Sequence, residues 1–108
     1  MSPLKPSDCT EMSEVRAEID RIDAALVDLI SERFGYVDRA WQLKLKSSEG
    51  AVVTWRIQQV IDKVKVRAVE RGLPPELAEA LWRQMIGWFI QYEEERLRAA
   101  EEKASPAS

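Results

Sequence analysis

The sequence predicts an all-α fold with three helices per chain, one long and two shorter, in an intertwined homodimer. Apolar residues recur every three or four positions through three segments, which is the spacing of one helix face. The four Gly and five Pro among the 108 residues lie mostly at the ends and in two short joints. With 45% hydrophobic and 32% charged residues, the chain has the composition of one globular domain.

The first helix is expected from about residue 11 to about residue 47, after a polar, flexible arm at residues 1–10. This stretch contains no Pro, and Gly35 is its one glycine. The segment Ser47-Ser48-Glu49-Gly50 then predicts the first break. The apolar stripe of the helix consists of Val15, Ile19, Ile22, Leu26, Leu29, Ile30, Val37 and Ala40.

The second helix is expected from about residue 53 to about residue 70, with Gly72 as its stop. The β-branched pair Val52 and Val53 leaves a short strand as a competing prediction at its start. Its stripe consists of Val53, Ile57, Val60, Ile61, Val64 and Ala68.

The third helix begins at Pro74 and Pro75, since proline is tolerated in a first helical turn. It is expected to fade in the acidic segment that starts at Glu93. The helical domain is therefore placed at residues 11–101, and residues 102–108 are expected to form a disordered tail. The stripe of this helix consists of Leu77, Leu81, Met85, Ile86, Trp88, Phe89 and Tyr92.

The length of the first helix predicts the homodimer. About 35 residues at 1.5 Å each span roughly 50 Å. A compact monomer of this size has a diameter of only about 34 Å, so the helix would project with its apolar face bare. A second copy running alongside would cover that face in a two-fold symmetric dimer.

Composition excludes several classes of function. The net charge of −3 leaves no unbalanced basic surface, which argues against nucleic acid. No apolar run approaches the ~18 residues of a membrane span, and the first ten residues do not form a signal peptide. One Cys and no His argue against a zinc site and against Ser-His or Cys-His catalysis. The lone Cys9 fits a reducing cytoplasm.

The main indication of function is a set of cationic residues on the apolar face, or seam, of the first helix. Stepping by three and four, one face reads Arg16, Ile19, Asp23, Leu26, Ile30, Arg33, Val37, Ala40 and Lys44. A cation on a face that must be buried is costly unless an anion meets it, which points to a small dianionic ligand. Arg33 and Lys44 lie roughly 16 Å apart along the helix. Arg16 lies roughly 25 Å from Arg33, so an antiparallel partner chain would have to supply it.

Two further residues are expected near this ligand. Arg56 opens the second helix just after the joint, and Glu93 follows the inward stripe of the third helix. Other interpretations stay open: a seam Arg often only snorkels or forms an ion pair, for instance with Asp23, and Glu93 also begins a run of acidic residues typical of a solvated face. The four Trp residues are interpreted as packing residues.

The segment Glu14-Val-Arg-Ala-Glu-Ile-Asp-Arg-Ile-Asp23, with Arg33 and Lys44 following at the same spacing, resembles the first helix of the all-helical chorismate mutases. Gly72-Leu-Pro followed by Glu76, Ile86 and Ile90 resembles the entry and inward face of that family's third helix. The resemblance covers about residues 7–96. The Asp8-Cys9-Thr10 entry also resembles the related isochorismate pyruvate-lyases.

The resemblance implies a domain-swapped dimer that rearranges chorismate to prephenate in aromatic amino acid biosynthesis, without metal or cofactor. Arg16 of the partner chain and Arg33 would hold the substrate's carboxylates. Lys44 would reach a carboxylate and the ether oxygen between ring and enolpyruvyl group, and Arg56 would match the arginine that opens the second helix. The enzyme would select the compact conformer and stabilise charge growing on that oxygen.

Two positions differ from the pattern of the mutases, and a third permits a second assignment of the lysine. Glu93 stands where the family usually has a Gln, so it would need to be protonated to donate to the ether oxygen. Ile57 replaces a Glu that binds the ring hydroxyl in many mutases, and an apolar residue there is typical of the lyases. Lys46 lies close enough to Lys44 for a two-residue slip to exchange them.

On the resemblance as a whole, chorismate mutase is the first interpretation. Isochorismate pyruvate-lyase, forming salicylate and pyruvate, and a non-catalytic helical dimer module are the alternatives.

Overall fold

The computed structural model describes residues 3–47 and 50–104. Its helices are α1 (Met12–Lys44), α2 (Thr54–Arg71) and α3 (Pro75–Ala104). No strand occurs in the described part of the chain, so the three-helix prediction is confirmed and Val52 and Val53 form no strand. None of the helices among these residues is long and apolar enough to cross a membrane.

The chain divides into two compact units, Met1–Tyr36 and Val37–Ser108. The first contains the start of the chain and α1 as far as Tyr36. The second contains the last turns of α1 together with α2 and α3.

The entry to α1 is held by a carboxylate. Glu14 Oε1 accepts hydrogen bonds from the Thr10 N–H and the Thr10 hydroxyl, both at 3.0 Å, and from the Glu11 N–H at 3.1 Å. The bonds from Thr10 are the main reason that the pKa of Glu14 lies below its ordinary value. Backbone donors at a helix start have no partner within the helix, so this carboxylate fixes where α1 begins.

The segment predicted as a flexible arm contains a short 3-10 turn at Pro6–Asp8. Proline in its first turn favours the helical φ, and the Cys9 N–H closes the turn on the Pro6 carbonyl at 3.3 Å. The sequence did not predict this turn. Met1 and Ser2 lie outside the described residues.

Within the first unit, α1 keeps its apolar residues exposed. None of the described residues of α1 is buried. The side chains of Ile22, Leu26 and Ile30 retain 47%, 49% and 45% of their accessible surface. These positions belong to the predicted stripe, so the periodicity identified the apolar face correctly, and within this single chain about half of each of these side chains stays exposed.

The two joints differ in how well the sequence located them. The first begins at the end of α1, where the N–H groups of Lys46 and Ser47 bond the carbonyls of Leu43 and Lys44. Residues 48 and 49 of the predicted break lie outside the described residues. The second joint is at Gly72, as predicted: its φ of 74° is left-handed, and the Leu73 N–H bonds the Ala68 carbonyl at 2.8 Å.

The α2–α3 pair holds the buried apolar residues. Ile61 and Ala68 on α2 and Ala78 and Phe89 on α3 are buried. At the surface, Glu79 of α3 accepts hydrogen bonds from Lys65 of α2 at 3.1 Å and Arg83 of its own helix at 2.7 Å. A small apolar core and the ion pair between Lys65 and Glu79 therefore join these two helices.

The third helix continues further than its predicted end. It passes through the acidic segment to Ala104, because the residues after Glu93 are mostly Glu, Arg, Ala and Lys, all strong helix formers, and no Pro or Gly intervenes before Pro106. Residues 102–104 of the expected tail thus continue α3. Residues 105–108 lie outside the described part of the chain.

Candidate active site

An ion pair joins the end of α1 to α3. Lys44, the last residue of α1, donates from Nζ to Oε2 of Glu93 at 2.7 Å. The Lys44 side chain is 15% exposed and the Glu93 side chain is 10% exposed. A charge-assisted hydrogen bond of this length, largely removed from water, is a strong and directional contact.

The burial of Glu93 decides between its two interpretations. The residue is 8% exposed, whereas the next two residues, Glu94 and Glu95, are exposed. Glu93 is therefore not the first residue of a solvated acidic face. It belongs to the inward side of α3, as its place after the apolar stripe predicted.

The structure also separates the two candidate lysines. Lys46 lies in the turn after α1 and is exposed, and the amine that bonds Glu93 is that of Lys44. Lys44 also has the spacing from Arg33 that the family resemblance implies. A register shifted by two residues is therefore not needed to bring a lysine to Glu93.

A second polar contact between the same two helices was missed by sequence reasoning. Oδ1 of Asp38 accepts a hydrogen bond from the Tyr92 hydroxyl at 2.7 Å and another from the Trp41 indole N–H at 2.7 Å. The bond from Tyr92, followed by that from Trp41, holds the pKa of Asp38 below its ordinary value. Trp41 three residues after Asp38 was a possible local signal, but the pairing with Tyr92 depends on tertiary packing.

Aromatic and cationic groups surround Tyr92 along α3. The ring of Trp88 stacks on that of Tyr92, with centroids 5.8 Å apart and an interplanar angle of 11°. Trp88 also meets Phe89 edge to face at 5.3 Å, and the guanidinium of Arg96 lies 5.0 Å from the Tyr92 centroid. Trp88 makes these ring contacts while 58% exposed, and Trp55 is 67% exposed, so neither is buried within this chain. A packing role for these two Trp residues stays a prediction.

The predicted arginines are placed as follows. Arg16 is exposed and Arg33 is half-buried in the first unit. Arg56, in the first turn of α2, is exposed and donates from its guanidinium to Gln59 Oε1 at 2.6 Å. Lys44 and Glu93 are in direct contact, and Ile57 beside Arg56 is half-buried.

This geometry limits the chemistry. Lys44 supplies an ammonium group that donates only, and Glu93 supplies a carboxyl that accepts when ionised and can donate when protonated. Such a pair can hold an anionic group and stabilise charge that develops on an oxygen atom. The fold and the pair together define the class, which is a small all-α protein with a charged site between its helices.

Comparison with known proteins gives the family. Residues 15–94 match the family described as chorismate mutase type II, so the chain belongs to that family. The chain is also similar to an isochorismate pyruvate lyase from Pseudomonas aeruginosa, with 35% identity over 86 residues, which cover 79% of this chain and 83% of that protein. The predicted family is confirmed, and both named activities belong to enzymes.

Proposed function

We propose that this chain is an enzyme for a pericyclic reaction of a chorismate-type dianion, and that its preferred reaction is the cleavage of isochorismate to salicylate and pyruvate. The observation that carries the proposal is the Lys44–Glu93 pair, held at 2.7 Å on the inward side of α3 in a chain of this family. It supplies a fixed cation without any nucleophile. That suits a reaction in which bonds reorganise within one substrate molecule.

Lys44 is assigned the main electrostatic role. As the ether bond to the ring breaks, negative charge grows on the ether oxygen, and the ammonium group donates a hydrogen bond to it. Because Glu93 already holds the amine in place, little reorganisation is needed at the moment of reaction. Arg33, Arg56 and a partner's Arg16 are proposed to hold the two carboxylates of the substrate.

The reaction balances without an external reagent. The bond between the ring carbon and the ether oxygen breaks, and one ring hydrogen moves to the methylene carbon of the enolpyruvyl group. The ether oxygen becomes the keto oxygen of pyruvate, and the ring becomes aromatic as salicylate. All atoms come from isochorismate, so the protein only has to bind the reactive conformer and stabilise the developing charge.

Two observations support the lyase over the mutase, although the mutase was the first interpretation of the sequence. Ile57 cannot hydrogen-bond a ring hydroxyl, whereas the resemblance implies a Glu at this position in many mutases. The Pseudomonas aeruginosa relative with 35% identity is named as a lyase. The match to chorismate mutase type II keeps the rearrangement of chorismate to prephenate as the second candidate.

We infer that the working form is a homodimer. In the first unit, Ile19, Ile22 and Leu26 keep about half of their surface exposed on one face of α1. Covering such half-exposed aliphatic side chains contributes on the order of 1 kcal/mol each. A second antiparallel copy would cover this face and bring in Arg16, which the family resemblance places in the site of the other chain.

Purified protein tests the proposal directly. Each substrate is supplied separately, and salicylate, pyruvate and prephenate are measured. Salicylate and pyruvate in equal amounts from isochorismate, at a higher kcat/KM than that for prephenate formation, is the expected result. A higher kcat/KM for chorismate would reverse the order of the two candidates. No turnover of either substrate between pH 5 and pH 8 would leave the non-catalytic helical module.

A further inference from the structure

The contact between Asp38 and Tyr92 lies beside the candidate pair. Tyr92 and Glu93 are consecutive on α3, and Asp38 and Lys44 are six residues apart on α1, which is about 9 Å along the helix axis. The same two helices are thus joined twice, by the Asp38–Tyr92 bond and by the Lys44–Glu93 bond. Both bonds are 2.7 Å long.

Two separated attachments restrict a helix pair more than one does. With the ion pair alone, the end of α1 could turn or slide against α3, since the lysine side chain has four rotatable bonds. A second attachment about 9 Å away fixes both the rotation and the register of the α1 segment. The end of α1 would otherwise be free to fray at Lys44, its last residue.

Asp38 is also held within its own helix. Its Oδ1 accepts from Trp41 as well as from Tyr92, and Trp41 lies midway between Asp38 and Lys44 in the sequence. Both bonds are charge-assisted, and the pKa of Asp38 is lowered mainly by the Tyr92 hydroxyl, so the carboxylate is ionised at neutral pH. Trp88 stacks on the Tyr92 ring and steadies the other side of the contact.

We propose that Asp38, acting through Tyr92 and Trp41, is a positioning residue that sets the place of the Lys44 ammonium group against Glu93. It does not touch the substrate in this proposal. Its effect reaches the reaction through the direction of the Lys44 Nζ–H groups. The inference rests on the proposed function for its kinetic readout, but its structural readout is independent of any activity.

Three variants test the proposal by kinetics. Tyr92→Phe removes one hydroxyl, Asp38→Leu removes the acceptor, and Asp38→Asn keeps an oxygen that can accept both bonds. The first two are expected to lower kcat by roughly 10- to 100-fold with KM changed by less than about threefold, because misplacement of a catalytic group costs that much. Asp38→Asn is expected to stay within about threefold of the wild-type kcat.

Glu79→Gln is the matched control. It removes the charge that pairs Glu79 of α3 with Lys65 of α2, so it is expected to lower stability without changing the contacts of Asp38. A purely structural role for Asp38 would make its variants behave like this control, with a lower melting temperature and an unchanged kcat below it. That outcome, or a wild-type kcat in Tyr92→Phe, would overturn the proposal.

An NMR measurement separates this inference from the proposed function. The 15N signal of the Lys44 ammonium group and the 13C signal of the Glu93 carboxyl report their pairing without substrate. Both are expected to shift in Tyr92→Phe and Asp38→Leu and to remain near their wild-type positions in Asp38→Asn and Glu79→Gln. If the wild type converts neither substrate, the proposed function is wrong, but the positioning role of Asp38 is still tested by these signals. Unchanged signals in Tyr92→Phe would refute it.

Discussion

At position 93 a buried carboxyl occupies the place where the family resemblance implies an amide. An ionised Glu93 accepts the hydrogen bond of Lys44, but it repels an incoming dianion and cannot donate to an ether oxygen. A protonated Glu93 can donate, as an amide does. In the proposed site, the charge of this one residue would therefore affect both binding and the reaction.

Glu93→Gln separates the two forms of this residue, because an amide can donate a hydrogen bond and carries no charge. If the reaction needs a donor at this position, the variant should keep or raise kcat/KM at pH 7, since it no longer repels the dianion. Steady-state kinetics at constant ionic strength compare the variant with the wild type. A large loss of kcat/KM in the variant would instead mean that the carboxylate itself, as the partner of Lys44, is required.

Lys44→Ala is expected to lower kcat by roughly 10²–10³, the usual loss when one donor to a developing anion is removed. Lys46→Ala is the matched control, since Lys46 is exposed and lies only two residues away. It should keep a kcat close to that of the wild type. Near-normal turnover by Lys44→Ala, together with a large loss in Lys46→Ala, would contradict the assigned register.

Among the elements, α2 and α3 depend on each other most clearly. Their packing buries Ile61 and Phe89, and the Glu79 carboxylate accepts from Lys65 across the pair. Arg83, followed by Lys65, lowers the pKa of Glu79. The pKa of an unfolded glutamate is about 4.3, so the folded state gains stability from this carboxylate above that pH and loses it as the pH falls through the lower folded value.

Glu79→Gln is accordingly expected to lower the melting temperature at pH 7, and the difference from the wild type should shrink toward pH 3. Thermal unfolding followed by circular dichroism at several pH values measures this change. Glu101→Gln, at an exposed position of α3, is the control and should show little difference at any pH. A deficit of equal size at pH 7 and pH 3 would mean that the charge of Glu79 is not the cause.

Element ends were predicted less well than element types. The periodicity located all three helices, and Gly72 marked the end of α2 because only a residue that tolerates positive φ fits there easily. The third helix was expected to fade in the acidic segment from Glu93, but α3 continues through that segment to Ala104, since Glu and Arg favour helix. The turn at Pro6–Asp8 was missed because three residues give no periodicity.

For the whole molecule, the exposed apolar face of α1 motivates the dimer. A helix of 33 residues without one buried side chain among those described is unusual for a chain that works alone. In the proposed dimer, a second copy would cover that face and would supply the third arginine of the site. Folding and activity would then be linked, and both should depend on protein concentration.

Subunit complementation tests the shared site. Arg16→Ala and Lys44→Ala are each expected to be nearly inactive, but a refolded equal mixture should recover about a quarter of the wild-type sites. Half of its dimers are mixed. In each mixed dimer, one of the two sites combines the intact Arg16 of one chain with the intact Lys44 of the other, and the second site lacks both residues. Activity per milligram, with light scattering to confirm the dimer, measures the recovery.

Arg33→Ala mixed with Lys44→Ala is the matched control. Arg33 and Lys44 are proposed to come from the same chain, so every site in such a mixture lacks one of them and no activity should return. Equal recovery in both mixtures would contradict the assignment of Arg16 to the partner chain. A purified protein that is monomeric at all concentrations would contradict the dimer itself.

The sequence by itself determined the helical fold class, the joints, the cationic seam and the family. Each of these depends on spacing along the chain: a period of three to four residues, a glycine at a helix end, or a motif of fixed intervals. Tertiary structure alone decided that Lys44 meets Glu93, that Glu93 is buried, and that Asp38 binds Tyr92. Those partners are 49 and 54 residues apart, and no local pattern sets the rotation of one helix against another.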